Sequence, residues 1–120
     1  MAKATAPPLE KTIVNSIIRA LKDAGCRWVL KTHGGPFQAS GIPDIICIAP
    51  LTGRFVGIEV KRPDGYGRLT ELQASQIKRI ESAGGVAGVA FSAEDALRYL
   101  AAANKPYKPI LAGVEAQRRK

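Results

Sequence analysis

The sequence predicts an α/β domain in which a mixed sheet is flanked by helices, in the order αβββαβα. Three observations carry this reading. Apolar residues recur at helical spacing early and late in the chain, as in Ile13, Val14, Ile17 and Leu21. Between them lie short apolar runs bounded by Gly, Pro, Asp and Thr, the pattern of strands joined by turns. A helical segment then separates the third and fourth strands, which calls for a right-handed crossover and a parallel pair.

Taken in order, the first helix is expected over residues 8–24, with prolines suited to its first turn and Gly25 to its end. Residues 26–31 read as the first strand. A polar, glycine-rich loop follows over 33–41. The isoleucine-rich segment 43–49 is the second strand, Pro50-Leu51-Thr52-Gly53 a turn, and 54–61 the third strand. A loop with two arginines, 62–68, leads into a second helix over 70–83, ended by Gly84-Gly85. Residues 86–91 form a short apolar strand. Ser92 caps a third helix that runs to Ala103, with Asp95 three residues on. Residues 1–103 thus make one domain, and 104–120 a basic arm with Pro106 and Pro109 that ends Arg118-Arg119-Lys120.

Composition narrows the class of function. The chain has 120 residues, 18 Lys and Arg against 10 Asp and Glu, and a net charge of +8, which favours polyanionic partners. No apolar run approaches the roughly 20 residues of a membrane span, and the N-terminus lacks a signal-peptide stretch. The expected location is the cytoplasm, or a host cell's cytoplasm for a viral protein. Cys26 and Cys47 form no CxxC pair and read as reduced and buried. With His33 the single histidine, any metal should be a hard ion held by oxygen. His33 itself reads as a nucleic-acid contact or an exposed loop residue rather than a metal ligand.

The acids give the sharpest signal. With 50–53 as a four-residue loop, Ala49 faces Arg54, and stepping back along the hairpin places Asp44 opposite Glu59. Directly opposed residues have Cβ atoms about 4.5–5.5 Å apart, and like charges there repel. A divalent cation, a shared proton or a nearby lysine would compensate. Lys61 leaves the same face of the strand as Glu59, while Val56, Ile58 and Val60 point the other way. Two more polar residues fall on apolar faces. Glu10 lies near the middle of the first helix's stripe and points toward the sheet, or else serves the helix dipole. Gln73 lies among Leu69, Ile77 and Ile80, as a site residue or as the far member of a capping box begun by Thr70.

Gly41-Ile42-Pro43-Asp44 followed by Glu59-Val60-Lys61 matches the signature of the PD-(D/E)XK nuclease superfamily. With Glu10, Gln73, the short spacing and the element order, the chain resembles its VRR-NUC branch, in the compact stand-alone form of phages and bacteria, over about residues 9–100. The resemblance implies a restriction-endonuclease-like core and a DNA endonuclease dependent on Mg²⁺ or Mn²⁺. Asp44 and Glu59 would bind the metal, Val60 would offer its backbone carbonyl, and Lys61 would position or activate water. Glu10 would complete the acidic cluster directly or through water, and Gln73 would hold Lys61 or a site water. Stand-alone members resemble Holliday junction resolvases, which implies a homodimer acting on branched DNA. Lys31, His33, Arg54, Arg62, Arg68 and the basic tail are the candidate phosphate contacts. Two other functions fit the same sequence: a non-catalytic DNA-binding module, and a sequence-specific restriction-type nuclease, for which 120 residues leave little room.

Overall fold

The computed structural model describes residues 9–32, 40–64 and 68–108. Its elements are α1 (Glu10–Asp23), β1 (Val29–Lys31), β2 (Ile45–Ile48), β3 (Phe55–Val60), α2 (Glu71–Ser82), β4 (Val86–Ala90) and α3 (Ala93–Ala103). The order αβββαβα is the one expected. The strands lie side by side as β1-β2-β3-β4. β1 and β2, and β2 and β3, pair antiparallel, whereas β3 and β4 pair parallel. Most boundaries fall within two residues of those expected. The exception is the first strand, which begins at Val29, with Trp28 contributing only its carbonyl, to Ile48 N–H.

Alternation along the strands assigns the two faces of the sheet. Ile45, Cys47, Val56, Ile58, Val60 and Ala90 are buried in one cluster with Ile13, Val14, Ile17 and Leu21 of α1 and Ala96, Leu100 and Ala103 of α3. The α1 stripe is therefore the core contact its spacing predicted. Among the described elements, the opposite face is packed by α2, against β3 and β4. There Gly57 matters, because a Cβ on it would sit 3.0 Å from both Ile80 Cδ1 and Pro43 Cγ. Its missing side chain lets α2 approach the sheet closely enough for Gln73 to reach β3. Both cysteines are buried and free, and burial pushes the Cys47 thiol up to about 12, so neither carries a ready thiolate.

Arg54 takes a place that its charge did not reveal. Its guanidinium donates to the carbonyls of Gly84, Ala102 and Lys105 and lies 5.3 Å from the Tyr107 ring centroid. It thereby ties the ends of α2 and α3 to the start of β3, at the opposite end of that strand from Glu59. Its expected role was a phosphate contact; in the fold its Nε and Nη1 donors serve these three carbonyls. The first residues of the supposed arm belong to the same knot, since Asn104 Oδ1 accepts from Leu51 N–H. Residues 109–120 lie outside those described.

Candidate functional site

The hairpin register places the site. Ile45 pairs with Ile58 and Ile48 with Phe55, as the expected turn requires, so Asp44 and Glu59 face each other one step beyond the last pair. Ala49 N–H donates to Arg54 C=O. Alternation from that hydrogen-bonded pair makes 44/59 a non-hydrogen-bonded position, where opposed Cα atoms are closest, at about 4.5 Å. The two carboxyl groups act on each other there, Asp44 raising the affinity of Glu59 for a proton.

Glu59 is 2 % exposed, the one charged residue among the buried ones described. Its two oxygens have different surroundings. Oε1 accepts from Gln73 Nε2 at 2.9 Å and lies 3.9 Å from Lys61 Nζ. Oε2 is buried and receives no hydrogen bond. Such an oxygen is costly unless a proton or a cation serves it. Burial, followed by the Asp44 carboxyl, pushes Glu59 up to about 8 against the pull of Lys61, with a smaller push from Glu10.

Asp44 is fixed from the other side. Its Oδ2 accepts from Val60 N–H at 2.8 Å. That bond turns the Val60 peptide toward the β2 side of the sheet, and in a strand a residue's N–H and C=O leave on the same side. The Val60 carbonyl therefore faces the same region as Asp44, past the end of β2. Lys61 N–H points the other way, to Ala90 C=O.

Gln73 closes the capping box and also reaches Glu59. Its Oε1 accepts from Thr70 N–H and its own N–H donates to Thr70 Oγ1, closing the capping box. This commits the amide oxygen to the helix cap and leaves Nε2 for Glu59. By resemblance its partner would have been Lys61 or a water; the side chain it holds is Glu59.

The Gly41-Ile42-Pro43-Asp44 segment is pressed onto the same helix. Gly41 has φ +81°, and a Cβ there would lie 2.6 Å from the Leu72 carbonyl carbon and oxygen. Gly41→Ala is expected to cost at least about 1–2 kcal/mol from the left-handed backbone alone, with the clash against Leu72 in addition. A thermal melt should register a fall of several degrees; a wild-type midpoint would show that the loop does not depend on this approach.

Other candidates lie farther out. Glu10 is exposed at the start of α1, and its charge acts on Glu59 from there. Among the described residues no three of His, Cys, Asp and Glu form a metal-holding group. The orphaned Oε2 of Glu59, opposed to Asp44, nevertheless fits a magnesium-like ion, which commonly takes one or two carboxylates and fills its remaining positions with water and other oxygens. Lys31 and Arg68 are exposed. Arg62 pairs with Asp64 at 2.8 Å. His33 lies outside the described residues. The sequence reading did not single out Thr32, whose hydroxyl donates to Pro43 C=O and whose N–H donates to Asp44 C=O. A threonine beside an edge strand carries no signal of that position.

In comparisons with known proteins, a family model described as the VRR-NUC domain matches residues 5–94. Comparisons with curated proteins and with solved structures gave no match.

Proposed function

The chain belongs to the VRR-NUC family of nuclease domains within the PD-(D/E)XK superfamily, and on that premise we propose that it is a DNA endonuclease dependent on Mg²⁺ or Mn²⁺, acting on branched DNA as a homodimer. The observation that carries the metal reading is the buried, unserved Oε2 of Glu59, a residue that the hairpin register sets opposite Asp44. Asp44, Glu59 and the Val60 carbonyl would hold the ion, with Glu10 acting through water. When bound, it lowers the pKa of water and acts as a Lewis acid on the phosphate.

The chain's own residues do the rest. Gln73 and Lys61 both address Oε1 of Glu59, so Oε2 is the oxygen that would serve the ion. The Lys61 ammonium supplies positive charge beside the position where negative charge develops on the attacked phosphate. Exposed Lys31 and Arg68 approach the DNA backbone as phosphate contacts.

A part of the sheet that no described element packs against supports the homodimer. Trp28 and Leu30 are 43 % and 47 % exposed and lie beside Ile48 and Ile46 on the face that α2 leaves open. An apolar patch of this kind suits a self-complementary two-fold contact. Trp28→Glu is expected to halve the mass seen by sedimentation; an unchanged dimer mass would place the contact elsewhere.

A panel of four-way junction, flap, nicked and linear DNA, incubated with Mn²⁺ or with EDTA, tests the activity. Cleavage in Mn²⁺ alone, greatest on branched substrates, is expected. Binding without metal-dependent cleavage would instead support a non-catalytic module. DNA affinity should fall with salt, and Lys31→Ala and Arg68→Ala should each flatten log K against log[salt] by about 0.9 per lost phosphate contact.

A further inference from the structure

Asp44 is held at its carboxylate by Val60 N–H, but a side chain is only as well aimed as the backbone that carries it. Thr32 contacts the peptide groups on both sides of that residue. Its Oγ1 donates to the Pro43 carbonyl at 2.7 Å, and its N–H donates to the Asp44 carbonyl at 2.8 Å. One carbonyl belongs to the peptide before the Asp44 Cα and the other to the peptide after it. Together the two bonds fix both peptide planes about that Cα, and so the direction of its Cα–Cβ bond. Pro43 is itself buried, its ring against the position of the Gly57 Cβ, so its carbonyl cannot swing away cheaply. The N–H bond is a ladder bond that any residue except proline would make. The hydroxyl bond depends on the side chain.

We propose that Thr32 is a positioning residue of the metal site, clamping the backbone on both sides of Asp44 so that its carboxylate meets Val60 N–H and faces Glu59. This rests on the metal reading above, but the clamp has a readout that needs no metal. Val60 N–H donates to Asp44 Oδ2, so its hydrogen exchange reports the aim of that carboxylate directly. Lys61 N–H donates to Ala90 on the other side of β3 and serves as an internal control.

The test compares Thr32→Val, which keeps the shape and loses the hydroxyl, with Thr32→Ser, which keeps the hydroxyl. In metal-free Thr32→Val, Val60 N–H should exchange about tenfold faster while Lys61 N–H holds its wild-type rate. Calorimetric titration with Mn²⁺ in the absence of DNA should give a Kd about tenfold weaker for Thr32→Val, with Thr32→Ser close to wild type. Should Thr32→Val fail to fold, Thr32→Ala against Thr32→Ser makes the same comparison. Wild-type Val60 exchange in the hydroxyl-less variant would overturn the clamp, even if its melting temperature fell. Failure of the wild-type protein to take up Mn²⁺ would overturn the metal reading, while Val60 exchange would still decide the role of Thr32.

Discussion

Lys61→Ala is expected to fold, to bind DNA and to cleave it about 10²–10⁴-fold more slowly. The side chain is 15 % exposed, one residue beyond the end of β3. Its backbone bond to Ala90 survives the substitution. What disappears is the one ammonium close to Glu59 among the described residues. Because Lys61 draws the Glu59 pKa down, its loss should raise the affinity of that carboxyl for a proton still further. Metal would then compete less well near neutral pH, and raising the pH should recover part of the Mn²⁺ affinity but not the rate. Circular dichroism and a gel shift in EDTA check folding and binding; single-turnover cleavage checks the rate. Cleavage at the wild-type rate would remove Lys61 from the mechanism.

Asp44→Asn should abolish Mn²⁺ binding and, in metal-free protein, flatten the dependence of stability on pH. Glu59 keeps its proton in the folded state up to about pH 8, whereas its ordinary value is 4.5. Between those values the folded state holds more protons than the unfolded one, so stability falls as pH rises from 4.5 toward 8 and levels off above. The asparagine removes the Asp44 charge, which with burial and a smaller push from Glu10 raises Glu59, so the window of falling stability should narrow. Burial, the larger cause, remains and keeps part of the slope. The substitution matters in its choice of residue. Asp44→Ala would also relieve the repulsion, but it leaves the buried Val60 N–H without its acceptor, at a cost of about 1–3 kcal/mol. Asparagine keeps an oxygen for that bond. In the wild-type protein, Mn²⁺ should raise the melting temperature more at pH 8 than at pH 5, since at pH 5 it must displace the proton. Equal slopes for the metal-free wild-type and Asp44→Asn proteins would separate the two carboxyl groups.

The backbone plan was legible in the sequence because it depends on local rules. A four-residue turn at 50–53 fixes the hairpin register, and that register alone sets Asp44 against Glu59. The α1 stripe and the β3-α2-β4 crossover follow from periodicity and handedness in the same way. Polar partners were harder, because they depend on how elements meet. Gln73 fitted a capping box and a site equally well on spacing; its oxygen closes the box while its nitrogen donates to Glu59. Arg54 looked like any other surface cation, and only the convergence of two helix ends on β3 reveals what occupies it. Glu10 sits on the expected stripe, yet as the first residue of α1 it is exposed, unlike Ile13, Val14, Ile17 and Leu21. Thr32 is a small polar residue at a strand end, and nothing in its neighbours announces that the backbone of Asp44 lies across from it.

One measurement reaches the centre of this account: the anomalous difference map of a crystal of this protein soaked in Mn²⁺. A single strong peak between the carboxyl groups of Asp44 and Glu59, within ligand distance of the Val60 carbonyl and absent in Asp44→Asn, is the expected result. Manganese bound elsewhere, with the space between those two carboxyl groups empty at saturating concentration, would contradict it.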